Sequence, residues 1–428
     1  MTWPIGTLLL LVLMLSGMPI SFAMALVGTV GTISIIGMSP ALSLLGQTFF
    51  DNSRDYSLSV LPLFLMMGNF VVQSGIAEDL YKSAHAWLRH RKGGLAIATV
   101  LACGGFSSVC GSSMATAATM AKIALPSMRR FGYPDSLSTA SIAAGGTLGI
   151  LIPPSVILVF YGIMTQQDIG KLFLAGIVPG IIGVIGYSAA VVISVRWRGL
   201  DLPTEAKLPL KDRVLALKGT AGALLLFVFV MGGIYFGVFT PTESAGMGAA
   251  GAMLLALFSG RFTLDDALIT LFDTAKNTAM MFFILFGALT FTNYVNLSGM
   301  TSDLQTLLAT FGTGPVTLIL IILGLYLVLG CFLESLSMIT LTVPIFYPVV
   351  ASAGFDLIWF GVFIVVVTEI SYITPPVGMN AFVLRSVVRD VRLKTIFSGL
   401  TPFIAIDFVR IVLLILFPAL VLFLPSHM

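Results

Sequence analysis

The sequence predicts an all-α polytopic membrane protein, built as an inverted-topology repeat with two re-entrant helical hairpins. Three observations lead there: an apolar composition, the placement of a few basic residues, and a set of motifs that recurs at one spacing. Of the 428 residues, 57% are apolar and 10% charged, whereas soluble domains run at about 45–50% and about 25%. This excludes an ordinary cytosolic enzyme, and a net charge of +3 over such a length offers no footprint for nucleic acid. Cys103, Cys110 and Cys331 lie in apolar stretches, and His85, His90 and His427 lie in a basic stretch or at the chain end. That pattern supports no disulfide framework, transition-metal centre or cofactor. The apolar start lacks a basic n-region and reads as the first membrane segment.

A helix needs about 20 apolar residues to cross a hydrocarbon core of about 30 Å. The first half offers spans at about 4–18, 20–38 and 56–75, then an amphipathic stretch over 77–92 with Leu80, Ala84, Trp87 and Leu88 on one face. The next stretch, 94–128, is too long for one crossing and carries Ser107–Ser113 at its middle. Arg89, Arg91 and Lys92 precede it and Arg129 and Arg130 follow. Lys and Arg collect on the cytoplasmic side, so both its ends lie inside and the stretch enters and returns. Two ordinary crossings would keep the same parity; the polar tip favours re-entry. The span 136–166 then leaves, and 172–196 returns to Arg196, Arg198, Lys207, Lys211 and Arg213.

The second half continues with spans at 219–239 and 243–260. Arg261 and Lys276 flank an amphipathic stretch, 262–275, with Leu264, Leu268, Leu271 and Ala275 on one face. Span 277–297 exits to Asp303–Gly314, which holds no Lys or Arg and whose Leu304, Leu307, Leu308 and Phe311 share a face. These amphipathic stretches are expected to lie in the interface plane as braces. A second long stretch, 314–350, carries Glu334-Ser335-Leu336-Ser337 at its middle and starts and ends outside. Span 355–384 comes in to Arg385, Arg389, Arg392 and Lys394, and 398–425 leaves, which puts both termini outside.

The halves, 1–213 and 214–428, resemble each other. Ser74-Gly75-Ile76-Ala77-Glu78-Asp79-Leu80 matches Ser298-Gly299-Met300-Thr301-Ser302-Asp303-Leu304 at a spacing of 224. Ile152-Pro153-Pro154 matches Thr374-Pro375-Pro376, and Met18-Pro19-Ile20-Ser21 matches Thr240-Pro241-Thr242-Glu243, both at 222. Gly111–Thr116 matches Ser335–Thr340 at 224. Four matches in one order at nearly one spacing define a repeat. Charge at matched positions is opposite: basic after Leu80 and after Pro376, nearly bare after Leu304 and after Pro154. Equivalent elements therefore face opposite sides of the membrane, the signature of alternating-access transporters.

Chemistry is expected at the two hairpin tips and the two Gly/Pro-broken spans, 145–155 and 371–380. Proline removes a donor and frees nearby carbonyls, which with Ser/Thr hydroxyls are hard oxygen ligands suited to sodium. Helix N-termini at the same places can hold an anion. Candidate cation ligands in the first half are Ser107, Ser108, Gly111, Ser112 and Ser113 at the tip, with Gly145 and Thr147 before the break. In the second half they are Glu334, Ser335 and Ser337, with Thr374, Gly378 and Met379 around the break. Candidate substrate contacts are Ser113, Thr116, Pro153, Pro154 and Ser155, matched by Ser337, Thr340, Pro375, Pro376 and Asn380. Gly145 and Gly149 also fit close helix packing, and any one serine serves equally as a back-bonded hydroxyl; the pairing across the repeat carries the reading.

Ionisable groups in apolar segments are functional candidates by default. Glu334 is the strongest for cation coupling, Glu243 reads as a helix cap, Asp407 as the ion-pair partner of Arg410, and Glu369 as either path-lining or helix-facing. There is no Gly-x-x-x-x-Gly-Lys-Ser/Thr loop for nucleotide, and the serines of 104–113 have no nearby His base, so neither a nucleotide-driven pump nor an intramembrane hydrolase is supported.

Leu61-Pro62-Leu63-Phe64, Gly93-Gly94-Leu95, Gly111-Ser112-Ser113, Gly132-Tyr133, Ile152-Pro153-Pro154-Ser155 and Ile373-Thr374-Pro375-Pro376-Val377-Gly378 together resemble the large membrane (permease) subunit of TRAP transporters. This is the DctM-like family of the ion transporter superfamily, and the resemblance covers essentially the whole chain. It implies an elevator-type, sodium-coupled importer in the bacterial inner membrane. It also implies a small TRAP membrane subunit and a periplasmic substrate-binding protein that delivers a small organic anion such as a dicarboxylate, sialic acid or a sulfonate. Two positions depart from the family pattern: Ala115-Thr116-Ala117 stands where an acidic residue is frequent, and Glu334 where Asp is. The alternative reading is a proton-coupled carboxylate transporter that works without a binding protein, through Glu334 or Glu369.

Overall fold

The computed structural model describes residues 2–260, 262–310 and 314–428. Every regular element among them is helical. The first half comprises α1 (Trp3–Leu15), α2 (Ile20–Ile36), α3 (Met38–Ser53), α4 (Val60–Gln73), α5 (Ile76–Leu88), α6 (Gly94–Cys110), α7 (Ser113–Arg130), α8 (Asp135–Thr147), α9 (Val156–Thr165) and α10 (Ile169–Trp197). A linker leads to α11 (Leu210–Ala216), α12 (Ala221–Tyr235), α13 (Pro241–Phe258), α14 (Leu264–Leu297), α15 (Met300–Thr310), α16 (Pro315–Leu329), α17 (Ser335–Ser352), α18 (Leu357–Ser371), α19 (Met379–Val387), α20 (Leu393–Leu416) and α21 (Ala419–Leu422). Among the described residues, 6 helical segments are long and apolar enough to cross a membrane by themselves, Ile169–Trp197 and Leu393–Leu416 among them.

Local chemistry sets the boundaries. Gly75 and Gly93, with φ of 80° and 79°, precede α5 and α6, a left-handed backbone in which a side chain is costly. Thr240 and Glu243 form a reciprocal capping box at α13, as the capping reading of Glu243 requires. The two long stretches each resolve into a helical pair with a break at the polar cluster, α6/α7 and α16/α17. The Gly/Pro spans are broken into α8/α9 and α18/α19. Both Pro153-Pro154 and Pro375-Pro376 are cis.

Three expectations need correcting. Helix α3 was not anticipated; Ser, Gln, Asn and Asp dilute its apolar run, and it packs on α2 and α14 instead of standing alone. The stretch 262–275 is not a separate brace but runs into the 34-residue α14, since no Pro interrupts it before Leu297. Its apolar face (Leu264, Leu268, Leu271) is exposed while Thr270 and Thr274 are buried, so the stripe faces outward and the polar side faces the protein. The last span stops at Leu416 ahead of Pro418 and resumes as the short α21. Arg261 and Phe311, used in the topology and amphipathic readings, lie outside the described residues.

Helices in the second half begin about 222 residues after their counterparts: Ser335 of α17 follows Ser113 of α7, and Leu357 of α18 follows Asp135 of α8, at that spacing. Packing is crossed between halves. Helix α2 packs on α14 and α13 on α4; α9 packs on α17 and α19 on α7; α20 packs on α8 and α18 on α10. The first of these crossings is tight: a Cβ on Gly287 would lie 2.4 Å from the Ser21 carbonyl oxygen, and one on Gly28 2.7 Å from that of Thr290. Outward residues such as Leu225 and Val228 are apolar, as a lipid solvent demands.

Candidate functional site

Each hairpin tip is seated on the broken span of its own half. Helix α6 ends on Gly111, whose φ of 68° is left-handed, and Ser112 then caps α7 by accepting from the Ala115 amide at 3.4 Å. A Cβ on Gly149 would come within 2.7 Å of the Ser112 carbonyl oxygen, so tip and break meet backbone to backbone. In the second half α16 ends at Gly330, where a Cβ would collide with the Ser371 side chain. The Ser335 amide donates to the Tyr372 hydroxyl, and Glu334 occupies the cap position of α17 with no side-chain bond to its first turn.

The halves meet at Asn380, the second residue of α19. Its amide nitrogen donates to Ser113 Oγ at 2.8 Å and to the Ala143 carbonyl at 3.0 Å. Ser113 Oγ also lies 3.0 Å from Asn380 Oδ1. Beside this junction is a cavity of about 250 Å³ bordered by Gly111, Ser112 and Ser113 of the first tip and Glu334 and Ser335 of the second. Asn69 of α4, Asn277, Met280 and Met281 of α14, Met114 and Tyr372 complete much of its wall. Three helix N-termini reach it: Ser112–Ala115 of α7, Val156 and Ile157 of α9, and Glu334–Leu336 of α17. Each presents the positive end of a helix dipole, which stabilises an anion. One amide at each is already bonded: Ala115 to Ser112 Oγ, Leu158 to Ser155 Oγ and Ser335 to the Tyr372 hydroxyl. Among the described residues lining it, Glu334 is the one carboxylate and there is no Lys or Arg. Hydroxyls, tip carbonyls and this carboxylate form an oxygen set that suits a hard monovalent cation.

The other residues singled out from sequence are not among those that line this cavity. Ser155 caps α9, donating to the Ile150 carbonyl at 2.5 Å and accepting from the Leu158 amide at 3.3 Å, with Pro153 and Pro154 buried beside it. Ser107, Ser108, Thr116, Thr340 and Thr374 donate back to carbonyls of their own helices: Cys103, Gly105, Ser112, Leu336 and Ile370. Ser337 is half-buried in the first turn of α17. Gly378, with φ of 62°, leads into Met379 and α19, while Pro375 and Pro376 are exposed. Gly145 and Thr147 stand apart from the cavity. A Cβ on Gly145 would meet Cys103 Sγ at 2.8 Å, and the Thr147 hydroxyl bonds the Ala144 carbonyl at 2.8 Å and lies 3.1 Å from the Tyr187 hydroxyl.

Sequence reasoning missed Asn69, Asn277 and Tyr372. The usable signal was an amide inside an apolar helix, the same argument that flagged the buried acids. Asn69 donates to Thr274 Oγ1 at 2.9 Å, tying α4 to α14 beneath the cavity. Glu369, left open between two roles, faces a helix partner: Arg410 Nη2 lies 2.5 Å from its Oε2 and 3.0 Å from Asp407 Oδ1.

Residues 7–420 match the family described as Tripartite ATP-independent periplasmic transporter, DctM component. The C4-dicarboxylate TRAP transporter large permease protein DctM of Pseudomonas aeruginosa is 36% identical over 401 residues, covering 93% of each chain. The sialic acid TRAP transporter large permease protein SiaM of Vibrio cholerae is 31% identical over 97% of this chain and 96% of its own. The crystal structure of the Alcanivorax borkumensis YdaH transporter shares the fold at a TM-score of 0.61 and 15% identity, covering 91% of this chain and 89% of that one. With its multi-pass helical architecture, paired hairpins and matching length, the chain belongs to the DctM family of TRAP transporter large permease subunits.

Proposed function

We propose that the chain is the membrane subunit of a tripartite, sodium-coupled secondary importer of a small organic anion of the dicarboxylate, sialic acid or sulfonate class. It works by an elevator movement in the bacterial inner membrane, with both termini periplasmic. A small TRAP membrane subunit and a periplasmic binding protein that delivers the anion complete the system. The crossed packing of matched helices supports an inverted repeat, because a pseudo-two-fold axis in the membrane plane exchanges such pairs.

The cavity's electrostatics carry the coupling. Three positive helix ends favour an anion, but the Glu334 carboxylate repels it. A cation held by Glu334 and the tip hydroxyls turns that repulsion into attraction, so cation and anion each strengthen the other's binding, which is what symport requires. The test is uptake of labelled C4-dicarboxylate, sialic acid and a sulfonate by liposomes holding the chain with its small subunit, supplied with the binding protein. Uptake is expected only with an inward sodium gradient. Uptake driven by a proton gradient alone, without the binding protein, would establish the alternative, and gradient-independent flux would indicate a channel.

A further inference from the structure

Away from the cavity, four helices enclose a set of polar groups that transport chemistry at the tips does not use. Glu369 of α18 and Asp407 and Arg410 of α20 are 0%, 0% and 1% exposed. Tyr187 of α10 donates to Asp407 Oδ2 at 2.8 Å, and Thr147 of α8 lies next to Tyr187. Gly183 leaves room for the guanidinium, since a Cβ there would fall 2.4 Å from Arg410 Nη1. The titratable groups facing one another from these elements are thus two carboxyls, one guanidinium and one phenol. With both carboxyls ionised the set would carry one uncompensated negative charge in the protein interior. Such a charge neutralises where a counter-ion cannot reach it.

The two carboxyls are unequal. Asp407 receives a hydroxyl donor at Oδ2 and lies 3.0 Å from Arg410 Nη2 at Oδ1, an ion-pair contact without a hydrogen bond, and Arg410 Nε and Nη1 are likewise unbonded. Glu369 is bonded through Oε2 alone, and its Oε1 is buried with no hydrogen-bond partner. A sodium ion at Oε1 would need several further oxygens around it, whereas a proton needs no space. We propose that this cluster holds one resident proton, on Glu369 Oε1, which balances its charge and lets Arg410 join α18 to α20. The bond formed is O–H on Glu369; Asp407 and Arg410 remain an ion pair.

The test is infrared difference spectroscopy of the full-length protein in lipid nanodiscs, and it does not depend on transport. Wild type is expected to show one more protonated-carboxyl C=O band than Glu369→Gln, with a downshift in deuterated water. Asp407→Asn should lose the same band, because one carboxylate then balances one guanidinium. Glu369→Gln should melt at or above the wild-type temperature at neutral pH, since Gln is neutral without taking up a proton. The wild-type melting temperature should fall as pH rises from the ordinary glutamate range toward neutrality, where the folded state holds a proton the unfolded chain has released, and that slope should be absent in Glu369→Gln. An unchanged carboxyl band in both variants would overturn the proposal. So would a Glu369→Gln protein that binds one sodium ion fewer by calorimetry, or one that fails to fold.

Discussion

Asn380 is the side chain through which the second broken span grips the first hairpin, and everything it touches is buried. Asn380→Ala would leave Ser113 Oγ and the Ala143 carbonyl without this partner, at about 1–3 kcal/mol for each polar group stranded. A lowered melting temperature together with lost uptake is the expected result; a variant as stable and active as wild type would remove the junction from the mechanism. Glu334→Gln, Ser112→Ala and Ser337→Ala act differently. Each should weaken the sodium dependence of uptake more than it lowers expression. Glu334→Gln should have the largest effect, since a charged ligand is worth about 1.5–3 kcal/mol, or roughly tenfold or more in affinity. Unchanged sodium dependence in all three would take the cation away from the tips. The serines were legible from sequence because they interrupt apolar runs. Tyr372 was not, because a tyrosine inside an apolar span looks like packing until its hydroxyl is seen on the Ser335 amide.

Among the elements, α2 and α14 cross closely, and glycine is what permits it. Gly287→Ala would push a methyl group against the Ser21 carbonyl at 2.4 Å, a backbone atom that cannot rotate away. Overpacking of this kind costs about 1–3 kcal/mol, so a clear loss in melting temperature is expected. Gly246→Ala is the control, because its new methyl group would find only Leu63 Cδ1 at 3.8 Å, an ordinary contact, and stability should hold or rise slightly as Ala replaces Gly inside a helix. Hairpins and broken spans could be read in advance because Pro and clustered Ser leave marks in a chain otherwise solvated by lipid. The continuity of α14 could not. Lys276 reads in the sequence as a membrane boundary, but charge alone does not stop a helix whose backbone bonds are intact. Helix α3 escaped for the opposite reason: its stability comes from neighbours, and neighbours are not in the sequence.

For the molecule as a whole, the order of helices and the motif spacing were legible, while the crossed pairing that joins the halves needed coordinates. The orientation of the halves remains a prediction with a direct measurement. Single cysteines at Lys92 and Asp303, on a background freed of native cysteines, should be labelled by a membrane-impermeant reagent from opposite faces of sealed vesicles. Labelling from one face would sink the inverted arrangement. Three of the side chains facing the cavity, Met114, Met280 and Met281, have a further consequence. Unbranched thioethers bend to fit what lies against them and define shape poorly. A wall of this kind sorts cargo by charge and size more than by outline. On the function proposed above, choosing between two anions of equal charge would fall to the binding protein, and exchanging that protein should redirect the transporter with little change to the membrane chain.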